Sequence, residues 1–457
     1  MREQSPTQTL AEFVSALTLD KIPQTVRERV KDIVLDTVAS ALAGHDASET
    51  AQVVALAEGI ASSREASVIG GGHLSVAGAT LVNSYLITAV TVCDIHRPTS
   101  CHVTPEVIGP ALVIAENLGS TGRDFLVAVA SGLEVTTRVG LGLDPATFRS
   151  HGWHAPGVTG PFGGAAAAGK LAGLDAMRQR HAFGLAASQA AGTYAQLGTP
   201  AIKFQQSRGA LGGLISTLLA EQGFGAAEEP LTNPDGGLFN SYADGGSPEA
   251  MLAGLGEDWE LMRISLRAWP VAVHLQPLVT GLMKLIEVND IKPDALAEVR
   301  IGISPTAYKM HGTRPWEDRF LARLSAPYVT GVVIHDHRCW LEQFTPERVQ
   351  DPRLDAFVRE RVKVHPDTNL KDGTSTIDIV TTTGAELHEH TTVAKGEPDN
   401  PMSHREIVDK FRAASAGRLK SGSAQKVIDM INQLESVHSM QEIVDNLRAS
   451  ELTGRVS

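Results

Sequence analysis

The chain has 457 residues, a net charge of −12, 42% hydrophobic and 20% charged residues, and only 5% aromatics. That length exceeds what one hydrophobic core usually holds, and the composition is that of a water-soluble globular protein, so two domains are expected. No basic stripe accompanies the acidic balance, which argues against nucleic acid as a partner, although a local cluster of Lys, Arg and His can still hold a small anion. In chain order, residues 8–265 read as mostly helical. Leu10, Phe13, Val14 and Leu17 mark one helix face, and Val30, Ile33, Val34, Val38 and Leu42 the next, with Gly44 placed to stop it. Helical periodicity continues at 111–118, 124–140, 163–171, 178–191 and 210–222. After about residue 266 the texture changes. Residues 298–304 alternate apolar and polar, and 374–383 with 386–393 read as a strand–turn–strand pair, while 326–339 and 352–361 look helical. Helix returns over 402–457.

The fold class expected is therefore mainly α. An all-helical domain (1–266 and 398–457) carries an inserted, smaller α+β lid domain (267–397). Three cysteines, Cys93, Cys101 and Cys339, show no Cys-x-x-Cys spacing, which fits a reducing cytoplasm rather than a disulfide framework. No signal-peptide core is visible at the N-terminus, and no stretch reads as a membrane span, so no membrane association is expected.

Three stretches carry candidate chemistry. The first is Asp94-Ile95-His96-Arg97-Pro98-Thr99-Ser100-Cys101-His102. It ends a run, 66–93, without formal charge if His73 is neutral, so an acid, two imidazoles and a guanidinium arrive together beside a packed core, where their pKa values can be tuned. The bland alternative is a polar loop joining two helices. The second is Gly152-Trp153-His154 through Gly164, with a helix start near Pro161 and His154 just upstream. Its alternative is close helix packing around a satisfied core histidine. The third is Gly198-Thr199 through Gly209, where Lys203 and Arg208 follow an uncharged run, 182–202. Two cations at a helix start can hold carboxylates, though a lone cation there is more often a snorkelling surface residue. Arg267 precedes Trp269-Pro270, and Tyr328 follows Ala326-Pro327. Asp94, His96, Cys101 and His102 match no common zinc spacing. His335-Asp336-His337 and His388-Glu389-His390 read as polar faces, so no metal site is expected.

Taken together, these stretches resemble the MmgE/PrpD family, a family of dehydratases, decarboxylases and epimerases of small polycarboxylates. The resemblance runs along nearly the whole chain. It is carried by 35–44, 83–116, 152–171, Gly198-Thr199 with Lys203, and Trp269-Pro270. It implies a helical domain plus an α+β lid, a homodimer, a site in the cleft between the domains and no obligatory cofactor. It implies catalytic roles for His102, His154 and Tyr328, and substrate binding by Lys203 and by Arg267, which stands where the family usually has lysine. The chain also departs from the family. Val92-Cys93-Asp94-Ile95-His96 replaces Asp-aromatic-Asp-Asp-Thr, and Gln206-Ser207-Arg208 replaces the usual His-x-Gly. These departures point to a subfamily with another substrate or another outcome.

The function expected is that of a cofactor-independent lyase or isomerase acting by proton transfer at a carbon alpha to a carboxylate of a small di- or tricarboxylic acid. Such carbon acids need a positioned base and stabilisation of enolate-like charge. Lys203, Arg208 and Arg267 can supply the charge, and two histidines the proton traffic, with His96 a further candidate and Asp94 its expected orienting partner. Dehydration, epimerisation and decarboxylation all follow from that chemistry and stay open. Two other classes compete: a metal-dependent hydrolase, distinguished by chelator sensitivity, and a non-catalytic polycarboxylate-binding protein, distinguished by the lack of solvent-deuterium exchange.

Overall fold

The computed structural model describes residues 5–449. Within it the chain forms two compact units. One comprises residues up to 89, 93–264 and from 403 onward; the other comprises 90–92 and 265–402. The chain leaves the first unit at Ile264 and rejoins it at Ser403, a few residues either side of the expected boundaries.

The first unit is helical. Its longer helices are α1 (Pro6–Ala16), α2 (Gln24–Gly44), α3 (Thr50–Ile60), α4 (Val76–Ala89), α5 (Thr104–Leu118), α6 (Gly122–Gly142), α7 (Pro145–Ser150), α8 (Ala155–Leu171), α9 (Ala176–Gln189) and α10 (Ala201–Glu221). Small residues let these helices approach closely. Gly44 ends α2 in helical geometry, and a Cβ there would lie 2.0 Å from the Leu86 carbonyl oxygen of α4. Its role is thus close approach rather than the chain reversal of a terminal glycine.

Two helices start earlier than periodicity suggested. α5 begins at Thr104 and contains Pro110; α8 begins at Ala155 and contains Pro161. An internal proline leaves the carbonyl four residues earlier without its helical donor. For Pro161 that carbonyl is Gly157, and it accepts instead from the Ala191 N–H at 3.1 Å and the Arg208 guanidinium at 3.3 Å.

α6 is long and apolar enough to cross a membrane by length and composition, yet 94% of that window is buried within the protein. It also carries a buried ion pair, Glu134–Arg138, 2.6 Å. The remaining Arg138 donors hold the carbonyls of Met251, Ala253, Gly254 and Asp258. Glu134 accepts from the amides of Glu260 and Leu261. The pair is therefore a fully bonded anchor for the segment 251–261, the arrangement in which buried charge is tolerated.

The second unit packs α11 (Gln276–Val288), α12 (Ala326–Asp336) and α13 (Pro352–Arg361) with a four-stranded sheet: β1 (Leu296–Ile303), β2 (Val362–Pro366), β3 (Ser375–Thr381) and β4 (Glu386–Thr391). The strand order is β2–β1–β3–β4. Only β1 and β2 are parallel. Val299, Ile301, Ile303, Ile377 and Ile379 turn one face onto Leu278, Leu282, Val329 and Val332. On the open face His388 pairs with Asp378 at 2.7 Å, an exposed cross-strand contact. The strand β2, in which Lys363 and His365 alternate with Val362 and Val364, was not among the expected elements.

The chain then returns to the first unit as α14 (His404–Ser415), α15 (Ser423–Asn432) and α16 (Met440–Asn446). A buried ion pair, Lys410–Asp36 at 2.6 Å, joins α14 to α2. The fold class is mainly α, as expected.

Candidate active site

The first unit brings together the starts of α5, α8 and α10, which pack on one another. Each start carries a residue singled out by the sequence: His102 two residues before α5, His154 as the residue preceding α8, and Lys203 in the first turn of α10. Helix N-termini present unsatisfied N–H groups and positive dipole ends, so this arrangement favours an anion.

Asp94 is fully buried. Its carboxylate accepts from the Val103 amide (2.8 Å), the Thr104 amide (3.2 Å) and the Thr104 hydroxyl (2.6 Å), so it satisfies the free donors at the start of α5. Burial and the neighbouring Cys93 lift its pKa above the usual carboxylate range, against the pull of His102 and these bonds. The Asp94 carbonyl accepts from His102 Nδ1 at 2.6 Å. A carbonyl can only accept, so neutral His102 carries its proton on Nδ1, and Nε2 is its basic nitrogen.

His154 is fixed in a similar way. Its backbone N–H donates to Gly192 at 3.0 Å, within a short ladder that pairs Trp153 with Thr193. Its Nδ1 lies 2.7 Å from Gln205 Oε1, and the Gln205 amide nitrogen donates to the Thr193 carbonyl, which sets which way the amide faces. Nε2 is again the basic nitrogen. The ring meets Tyr194 edge-on at 6.1 Å, and the Arg149 guanidinium lies 3.5 Å over that tyrosine ring. Burial pushes the His154 pKa down to about 3, helped by the charges of His102, Lys203 and Arg149 and opposed by the Gln205 bond. Lys203 itself is buried.

The other expected residues are placed differently. His96 is fully buried, with Nδ1 2.9 Å from the Thr99 hydroxyl and Nε2 3.2 Å from Glu260 Oε2. The bond from His96, with the Arg263 charge, holds Glu260 below the usual carboxylate range. The expected Asp94–His96 pairing is corrected: Asp94 caps α5, and His96 is tied through Glu260 to the segment anchored by Arg138. Arg208, expected to bind substrate, instead donates to the carbonyls of Gln189, Ala191 and Gly157, because the end of α9 and the Pro161 break leave those acceptors open. Tyr328, expected as a catalytic group, is core of the second unit. Its hydroxyl donates to the Gln343 carbonyl at 2.6 Å, and its ring packs between Trp316 and Phe344. Arg267 is buried, also in the second unit.

Two site residues were passed over in the sequence. Gln205 stood within the third stretch, but nothing local marks it as a partner of His154, 51 residues away. Glu106 lies inside α5, where a buried acid looks like any helix position. Among the described residues no group of three His, Cys, Asp or Glu is placed to hold a metal ion.

Comparison with known proteins agrees with the earlier resemblance. The MmgE/PrpD N-terminal domain model matches residues 8–251, and the MmgE/PrpD C-terminal domain model matches residues 269–436. The chain belongs to the MmgE/PrpD family. It is 26% identical to a cis-aconitate decarboxylase of Aspergillus terreus, the match covering 96% of this chain and 95% of that protein. It is 26% identical to a cis-aconitate decarboxylase-like protein, oryM, of Aspergillus oryzae, covering 97% of each. It is 23% identical to the cis-aconitate decarboxylase of Homo sapiens, covering 98% of this chain and 95% of the human protein. The first and third of these relatives are named for the decarboxylation of cis-aconitate, a small carboxylic acid.

Proposed function

We propose that the protein is a lyase that moves a proton at a carbon next to a carboxylate of a small di- or tricarboxylic acid. One observation carries this reading. Two imidazoles at neighbouring helix starts each have Nδ1 turned to a fixed acceptor, His102 to the Asp94 carbonyl and His154 to Gln205, which makes Nε2 of each the proton-accepting atom.

His154, neutral at physiological pH, is the base that takes the proton, and the arriving carboxylate raises its pKa as the substrate binds. Lys203 and the starts of α8 and α10 stabilise the enolate-like charge that forms, the start of α5 being capped by Asp94. His102, entering the cycle as the imidazolium with a proton on each nitrogen, returns the Nε2 proton either to carbon or to a leaving hydroxyl, and both rings exchange protons with solvent before the next turnover. If CO2 leaves in place of the proton, its bonding pair stays on the carbon skeleton as the same kind of anion, which is then protonated; that outcome is decarboxylation, the reaction named for the relatives. The homodimer implied by the family resemblance and the cytoplasmic location read from the three cysteines belong to this proposal.

The test is incubation of the purified protein with cis-aconitate, citrate and 2-methylcitrate in deuterated water, read by proton NMR. Deuterium entering at the carbon beside a carboxylate, with a new product and undiminished by EDTA, is the expected result. No exchange in any of these acids would remove the reading, and activity lost to EDTA and restored by a divalent ion would move the protein to metal-dependent chemistry.

A further inference from the structure

Glu106 is a group the proposed chemistry does not use. It sits in the first turn of α5 and is completely buried. Neither carboxyl oxygen has a hydrogen-bond partner. Its stem lies across α8 and α10: a Cβ on Gly160 would come within 2.3 Å of Glu106 Cγ, and one on Gly209 within 3.6 Å. Only glycine at 160 leaves room for this side chain, so the acid occupies a seat shaped around it.

The titratable groups around Glu106 are Asp94 and Cys93 on the preceding segment and Cys101 just ahead of the helix. His154 and Lys203 stand at the starts of the two helices packed across it. α4 carries no charged residue, and on α6 Glu134 and Arg138 are bonded to each other. Donors at the starts of α5 and α8 are engaged elsewhere. The Val103 and Thr104 amides and the Thr104 hydroxyl serve Asp94, and the Thr159 hydroxyl donates to the Ala155 carbonyl.

We infer that Glu106 is held as a neutral carboxylic acid, so that the Asp94–Glu106 pair carries a single negative charge beside His102, and that its ionisation limits anion binding at high pH. A second carboxylate without donors, next to Asp94, would be both desolvated and repelled. Burial and the Asp94 charge both push the Glu106 pKa well above its ordinary value, outweighing the opposing effect of its own backbone N–H. Glu106 is a positioning residue. It sets the charge felt by His102 and by an arriving carboxylate without touching the reacting atoms. The binding consequence rests on the proposed function; the protonation state does not.

The experiment has two arms on the full chain and its Glu106→Gln variant, which mimics the neutral acid in shape and charge. In the first arm, with no ligand, infrared difference spectra of wild type should show a protonated-carboxyl band at neutral pH that the variant lacks. The melting temperature of the variant minus that of wild type should rise with pH, because an acid with a raised folded pKa loses stability as pH climbs from about 4.3 toward that value. In the second arm, calorimetry with tricarballylate, an inert tricarboxylate, should show wild-type Kd weakening about tenfold relative to the variant as pH rises through the range over which the protonated-carboxyl band disappears. The two proteins should bind alike at the low end. A missing band, or parallel melting curves, overturns the inference. A present band with identical pH dependence of Kd overturns its link to binding. A wild type that binds no tricarballylate at any pH sinks the proposed function while leaving the protonation state standing. If the variant fails to fold, the isotope shift of the same band in wild type labelled with 13C-glutamate decides the first arm.

Discussion

The Asp94 carbonyl accepts the His102 Nδ1–H at 2.6 Å while the carboxylate of the same residue caps the helix that begins at Thr104. One residue thus sets the tautomer of His102 and the position of the helix start beside it. Asp94→Asn keeps the shape and one acceptor oxygen but turns the other into an amide NH2, so one donor at the start of α5 loses its acceptor, at a cost of about 1–3 kcal/mol. The expected result is a modest fall in melting temperature with the His102 backbone bond intact, read as an unchanged His102 tautomer in 15N NMR.

His102→Gln and His154→Gln should each lower turnover by about 10²-fold or more, the scale of a lost general acid or base, with circular dichroism unchanged. Turnover near wild type in either variant would take that imidazole out of the reaction.

The pH behaviour of His154 has a definite sign. Its folded pKa, about 3, lies below the unfolded value of 6.5. Folding stability from this difference is present above the unfolded value and is lost as pH falls toward the folded one. His154→Gln should therefore be less acid-labile than wild type over that window. In the free protein the His154 ring should stay neutral down to about pH 4, and saturation with tricarballylate should raise its pKa because the carboxylate favours the imidazolium. NMR titration of the ring checks both.

His96→Leu removes the bonds to Thr99 and Glu260 at a fully buried position. Stability should drop by about 1–3 kcal/mol, the usual range for a buried polar partner left unsatisfied. The shape of the pH–rate profile should stay as in wild type. A profile whose limb near neutrality disappears would instead return His96 to the chemistry.

Gly44→Ala places a Cβ 2.0 Å from the Leu86 carbonyl oxygen, a backbone atom that cannot turn away. α2 and α4 must separate, and a loss of at least about 2 kcal/mol in chemical denaturation is expected.

How much of this was legible depends on the distance over which each fact is decided. His102, His154 and Lys203 stand at helix starts marked by proline, glycine and the end of uncharged runs, and those are local signals. The helical character of 8–265 and the alternation at 298–304 were readable for the same reason. What each side chain bonds is set by partners far along the chain. Glu260 reaches His96 from 164 residues away. Arg208 looked like a substrate cation because its acceptors are carbonyls exposed by a proline break and a helix end, and backbone acceptors leave no mark in the side-chain pattern. Tyr328 looked like a reactive hydroxyl because the Gln343 carbonyl that receives its proton is likewise invisible in sequence.

The ion pair between Asp36 and Lys410 also fixes an order of events during synthesis. Both side chains are buried, and 374 residues separate them. On the ribosome Asp36 is exposed to folding forces long before Lys410 exists, and sealing α2 into an apolar interior without that ammonium would strand a carboxylate. Closing the helical unit before the stretch after Ser403 has emerged is therefore disfavoured, whereas 265–402, with 90–92, is complete earlier. Nascent chains arrested before α14 should stay open to protease across residues 24–44 and become resistant once that helix is released.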